Sequence, residues 1–227
     1  MNLKNILMSA SVIVLAAACA PEVQPEPETD VTPVVLAENE MAARLPKVLD
    51  LGWTKGDKLT VIGASSQEFA INDDYTRSFA KFTGEAVAGD SFTILKSAAG
   101  NTLEAVQSKN YAAQEQAADG STAHLDFDLA LVGVTSYKDV VFSSEWAEEN
   151  GGEFKMNGVL KLDLKFPSQI LTLKGIGIKA DKNVFFATNS EASATDSLYL
   201  AAADVDVSVK GNKYTAYMLT SWQTVNI

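Results

Sequence analysis

The chain has 227 residues, 47% of them hydrophobic and 8% aromatic, with a formal charge of −11 and a pI near 4.5. That balance excludes nucleic acid as a partner, because displacing counterions from phosphates needs a basic face, and it disfavours an anionic membrane surface for the same reason. An acidic surface is otherwise what solubility alone asks for.

At the N-terminus Lys4 supplies a positive start. Ile6–Ala18 is an apolar run too short, and too rich in small residues at its end, for a stable membrane span. The run closes Leu15-Ala16-Ala17-Ala18-Cys19. This resembles the lipobox of bacterial lipoproteins, with Ala16 where that pattern usually carries leucine. The resemblance implies a signal peptide at 1–18, acylation of Cys19 with palmitate, and an outer-membrane lipid anchor. An ordinary secretory signal with an incidental Cys19 fits the same residues. On either reading the protein leaves the cytoplasm. Cys19 is the only cysteine, so no intramolecular disulfide can form.

Residues 19–46 read as an acidic, Pro-rich linker or prosegment. Five of the six prolines lie here, and six acidic residues face a single base, Arg44. Such a composition is extended and solvated. Val31–Leu36 is a short strand candidate and Met41–Leu45 a turn of helix. Arg44 is one of two arginines, the other being Arg77. Just before the folded body it is an accessible site for a trypsin-like protease, or a solvated base with no role.

Residues 47–227 read as the folded body. Gly56-Asp57 turns into a strand at Leu59–Ile62. Asn72-Asp73-Asp74 reads as a loop ahead of a strand at Ser78–Phe82, and Ser91–Leu95 is rich in β-formers. Ala98–Tyr111 fits neither period, and Ala112–Ala118 has helix propensity. His124–Val134 begins alternating and ends apolar, as a strand covered on both faces does. Ser143–Gly152 is a loop or one helical turn. Val159–Ala180 is the most regular stretch: Leu160, Leu162, Leu164 and Phe166 alternate with Lys161, Asp163 and Lys165, then Pro167 breaks the run. The apolar parity changes at Gly175, the mark of a bulge or a crossing between sheets. This is a β-hairpin or β-corner. Further strands follow at Val184–Ala187, Ser197–Ala201 and Asp204–Val209, and Tyr214–Val225 ends the series. About ten short strands with little helix predict an all-β fold, an antiparallel β-sandwich.

Chemistry is sparse. The one histidine, His124, stands two before Asp126, but no G-x-S-x-G elbow accompanies it, so no catalytic residue is assigned and the protein reads as a non-enzyme. No His/Cys set has metal-ligand spacing, and Asp73-Asp74 and Asp204/Asp206 lack a calcium loop, so neither metal nor cofactor is expected. Trp146 sits among Glu145, Glu148 and Glu149. An exposed ring there would stack on a glycan; a ring folded back onto the body would not.

Four local motifs occur in order: Trp53-Thr54-Lys55-Gly56-Asp57-Lys58-Leu59 with Val61-Ile62-Gly63, Ala80-Lys81-Phe82-Thr83-Gly84, Phe92-Thr93-Ile94-Leu95, and Asn157-Gly158 running into Val159–Leu164. Together, behind a lipobox, they resemble the fimbrillin-like family of Bacteroides-type bacteria, the subunits of type V pili. The resemblance spans about Leu51 to Ile178. It implies a fimbrillin/transthyretin-like sandwich and a structural or adhesive subunit of a surface fimbria. It implies a lipoprotein precursor trimmed after an arginine, which Arg44 matches, and other pilus subunits as partners through strand exchange. Tyr214–Ile227 is then either a mobile donor strand or the last strand of its own domain. The alternative class is a monomeric cell-surface lipoprotein binding glycans or other host or bacterial surface ligands through Trp146.

Overall fold

The computed structural model describes residues 34–49, 51–168 and 172–223. In chain order the elements are β1 (Glu40–Arg44), β2 (Lys58–Ile62), β3 (Ser66–Tyr75), β4 (Phe79–Thr83), β5 (Phe92–Lys96), α1 (Leu103–Ser108), β6 (Ala113–Glu115), β7 (Leu129–Val134), β8 (Asp139–Val141), α2 (Ser144–Glu149) and β9 (Glu153–Met156). They continue with β10 (Gly158–Lys165), β11 (Thr172–Lys179), β12 (Phe185–Phe186), β13 (Ala194–Thr195), β14 (Ser197–Asp206) and β15 (Lys213–Thr220). The chain is all-β, as its alternation and turn residues predict, with more and shorter strands than the sequence suggests.

One eight-stranded sheet, in the order β8-β1-β4-β3-β2-β5-β7-β9, curls into a half-barrel. Its concave side holds the main core. Leu59 and Val61 of β2 and Ala80 and Phe82 of β4 point inward because alternate strand residues share a face. Trp53 meets Phe82 edge-on, with ring centroids 4.9 Å apart, and Tyr137 meets Phe92 the same way at 4.9 Å. Such pairs add about 0.5–1.5 kcal/mol beyond the area they bury.

The rest forms smaller sheets: β10-β15, β11-β14-β6 and β12-β13. Leu173, Leu198, Leu200, Val205, Ala216 and Met218 bury a second core between β11-β14 and β10-β15. Val159–Ala180 is therefore a corner and not a hairpin: β10 pairs with β15, and β11 with β14. The chain changes sheets between them, after Pro167, while Gly175 marks a bulge inside β11. A Cβ at Gly175 would lie 2.2 Å from the Tyr199 hydroxyl and 3.0 Å from the Leu200 carbonyl oxygen, so a side chain here would push the exposed Tyr199 ring aside and crowd β14. Of Tyr214–Ile227, considered as a mobile donor, Tyr214–Thr220 pairs with β10 within its own domain as part of β15, and residues 224–227 lie outside the described residues.

Other local readings are corrected. Met41–Leu45 is not a turn of helix: Met41–Arg44 belong to β1 and Leu45 follows it. Asn72-Asp73-Asp74 lies within β3, where a register shift absorbs it against β4. The ambiguous Ala98–Tyr111 contains α1, capped by the Thr102 side chain, which accepts from the Ala105 N–H. His124–Asp128 precedes β7 and is not part of it. Two pairings, β1 with β8 and β14 with β6, are parallel.

Ala112–Ala118, whose composition favours helix, instead contains β6. Tertiary contacts decide this. Gln114 and Gln116 stand two apart, so in a strand both reach the outer edge of β15. Gln114 accepts from the Leu219 N–H and donates to the Leu219 carbonyl, both at 2.8 Å. Gln116, fully buried, accepts from the Tyr217 N–H at 3.0 Å and donates to the Thr215 carbonyl at 3.3 Å. Their amides imitate the peptide groups of a missing strand, and a helix could not direct both to one edge. Gln116→Ala leaves buried main-chain groups unpaired and is expected to lower unfolding free energy by about 1–3 kcal/mol. Urea melts check this, and amide exchange localises it to Tyr217.

Candidate functional site

Of the residues singled out in the sequence, Arg44 has the most developed surroundings. It ends β1, and β1 is not linker: it lies inside the large sheet, antiparallel to β4 and parallel to β8. Met41, Ala42 and Ala43 are fully buried, and Met41 and Ala43 belong to the main core. A run of one methionine and two alanines suits this slot because neighbours cover both its faces.

The Arg44 side chain is largely buried as well. Its guanidinium pairs with the Asp139 carboxylate and lies 5.1 Å over the Phe79 ring. The peptide bond after Arg44 is held on both sides: its carbonyl accepts from the Phe142 N–H at 3.0 Å, and the Leu45 N–H donates to the Ser78 carbonyl at 2.8 Å. β8 adds further ties. The Ala42 N–H donates to the Lys138 carbonyl at 2.7 Å, and the Lys138 ammonium donates to the Glu38 carbonyl and, at 3.3 Å, to that of Glu40. An exposed linker arginine is thus corrected to a strand-end arginine clamped by β8. A protease must open this arrangement before a trypsin-like pocket can take the guanidinium.

Asp139 and Lys138 were not visible as site residues in the sequence. They lie 95 and 98 positions from their partners Arg44 and Glu40. Nothing local marks them except a basic–acidic pair before two valines.

A second polar cluster is built around Tyr111 of the main core. Asp128 is fully buried; Ser97 and Tyr111 donate their hydroxyls to its carboxylate, and the Lys109 ammonium lies 3.1 Å away. Asn189 donates to the Tyr111 oxygen at 2.8 Å and to the Val106 carbonyl at 3.1 Å. Asn157 donates to Asn189 at 3.2 Å and to the Thr220 carbonyl at 2.9 Å. Trp222 donates its indole N–H to the Asn189 carbonyl at 3.1 Å. Burial first, then the Asp128 charge and hydrogen bond, push the Tyr111 hydroxyl well above the usual tyrosine range. The cluster's bonds close on one another, which suits a structural tie.

The remaining candidates lie apart from Arg44. Among the described residues His124 has no serine or carboxylate partner: its Nε2 lies 2.9 Å from the Tyr217 carbonyl, and its buried Nδ1 is without a hydrogen bond there. Facing a carbonyl, Nε2 carries the proton. Trp146 lies on α2 and packs part of its ring against the main core. Asp73 and Asp74 lie on β3, and Asp204 and Asp206 on β14. Among the described residues no group of three or more His, Cys, Asp or Glu could hold a metal ion. No helix among them is long and apolar enough to cross a membrane. Cys19 and the signal-like run lie outside the described residues.

Compared with models of known families, with curated proteins and with solved structures, the chain matches none.

Proposed function

We propose that this protein is a structural or adhesive subunit of a bacterial surface fimbria, of the fimbrillin type. It is exported as a lipoprotein precursor acylated at Cys19, held at the outer membrane, and assembled with other subunits by strand exchange after trimming at Arg44. The observation that carries the reading is the position of Arg44. It closes a buried strand set between β4 and β8, so a cut there separates from the body a strand whose slot another subunit can fill. An emptied slot would present unpaired ladder groups and apolar pockets, and a donated strand satisfies both. The finer fold reading that goes with this is a fimbrillin/transthyretin-like sandwich, supported by the second core shared between β10-β15 and β11-β14.

The test uses an arginine-specific protease, since the chain offers it only Arg44 and Arg77. Cutting after Arg44 is expected to give ladders that resist denaturing gels, and Arg44→Ala is expected to give none under the same treatment. Trimmed protein that forms no such ladder at high concentration overturns the reading.

A further inference from the structure

The unit built from β10 and β15 has two edges, and they are treated differently. The outer edge of β15 is closed by side chains. Gln114 and Gln116 occupy the main-chain groups of Leu219, Tyr217 and Thr215, and His124 takes the Tyr217 carbonyl. Among the described residues no strand lies on the outer edge of β10. That edge is eight residues long, and long open edges are templates for another strand.

The phase of the ladder shows which groups are on offer. The Phe166 N–H donates to the Asn212 carbonyl at 2.8 Å, in register with the β10–β15 pairing. Alternate residues of an antiparallel strand face the same neighbour, so Leu160, Leu162 and Leu164 turn their main-chain groups to β15. Val159, Lys161, Asp163 and Lys165 turn theirs outward. The leucine side chains carry a second sign. Leu160, Leu162 and Leu164 are only half-buried, whereas Tyr214, Ala216 and Met218 of β15 are buried. The apolar face stops one strand short of full cover.

We propose that β10 is a dimer interface, pairing antiparallel with β10 of a second copy about a two-fold axis centred on Leu162. This inference is independent of the fimbrial reading. A two-fold contact must be self-complementary, and the charges select one register. With Leu162 opposite itself, Lys161 faces Asp163 of the other copy twice, and Val159 faces Lys165. All four outward residues of each strand then meet outward residues of the other, so every ladder group is satisfied. Leu160 meets Leu164 on the apolar face. Shifting the register by two residues brings Asp163 against Asp163 or Lys161 against Lys161, which repel. Within one copy Lys161 lies 3.2 Å from Asp163, and both side chains are more than half exposed, so they are free to share charges across the axis. The guarded edge of β15 prevents further addition, so pairing at β10 gives a closed dimer and not an open sheet.

Sedimentation equilibrium of the full chain, uncut and over about a hundredfold concentration range, tests this. A reversible monomer–dimer equilibrium is expected. Lys161→Asp and Asp163→Lys each place two like pairs across the axis and should weaken association by about tenfold or more. The exchange K161D/D163K restores opposite charges in every pair and should restore the dimer. Both positions are exposed, so these variants keep the fold, which circular dichroism checks. Wild-type chain that stays monomeric throughout, or association indifferent to the charges at 161 and 163, overturns the proposal. A trimmed sample is not used, so failure here leaves the role of Arg44 untouched.

Discussion

Asp139→Ala is expected to speed cutting after Arg44 by about ten- to hundredfold, from a loss of about 1.5–3 kcal/mol in a charge-assisted hydrogen bond. The reason lies in a competition for one guanidinium. A trypsin-like protease must draw the Arg44 side chain into its own acidic pocket, but in the folded chain that group pairs with Asp139 and stacks on Phe79. The backbone on both sides of the bond is also tied, to Phe142 and to Ser78. Cutting therefore follows the population in which β8 has opened, and weakening the clamp raises that population in proportion. Arg77 supplies the internal control. It is exposed in the connection between β3 and β4, where its guanidinium donates to the Leu49 carbonyl at 2.7 Å, so its cutting rate should rise less than that at Arg44. A time course with an arginine-specific protease, with fragments weighed by mass spectrometry, separates the two rates. Equal acceleration at both sites would mean global destabilisation, and no acceleration at Arg44 would mean that the clamp does not govern access. Lys138→Ala, which removes the ammonium from the Glu38 and Glu40 carbonyls, is expected to act in the same direction.

Asp128→Ala is expected to cost about 3–5 kcal/mol of folding free energy, the range found when one member of a buried charged group is removed. The Tyr111 hydroxyl and the Lys109 ammonium both lose their shared partner, and Ser97 loses its acceptor. Asp128→Asn should cost less, since its amide oxygen still accepts. Urea denaturation would show a lower midpoint with an unchanged slope. The same cluster sets a dependence on alkaline pH. The Tyr111 hydroxyl ionises less readily in the folded chain than in the unfolded one, chiefly because it is buried and next because Asp128 is negative. The unfolded chain therefore gives up this proton first. The stability held in the neutral hydroxyl is complete below the ordinary tyrosine value of about 10 and is lost as pH rises above it. Tyr111→Phe should make the unfolding midpoint less sensitive to pH above about 10. An unaltered alkaline slope in that variant would count against the assignment.

Some of this was legible in the residues. The alternation in β10 separated half-buried Leu160, Leu162 and Leu164 from exposed Lys161, Asp163 and Lys165, because a strand's faces depend only on parity. Gly175 announced a bulge or a crossing between sheets, and a bulge is what stands there. Ser143–Gly152 read as a loop or one helical turn and contains α2, but its cap, where the Ser143 hydroxyl accepts from the Trp146 N–H, was not read. Arg44 was found as an isolated base in an acidic stretch. Its surroundings were not, because Met41-Ala42-Ala43 has no period long enough to reveal a strand, and its partners lie far away in the chain. The same holds for Gln114 and Gln116. Local propensity favoured helix, and contacts about a hundred residues downstream decided otherwise.

By itself the sequence determined the class: an acidic composition, the strand-and-turn rhythm of an all-β body, and Arg44 as a lone base in an acidic stretch. These follow from composition and from patterns a few residues long. Only the tertiary structure decided that Arg44 closes a buried strand clamped by β8, and that β15 is guarded at one edge while no described strand lies on the outer edge of β10. Each of those facts is a pairing between distant segments. Pairing is set by which exposed ladder groups and apolar faces meet when the sheet closes, and no short stretch of sequence carries that information.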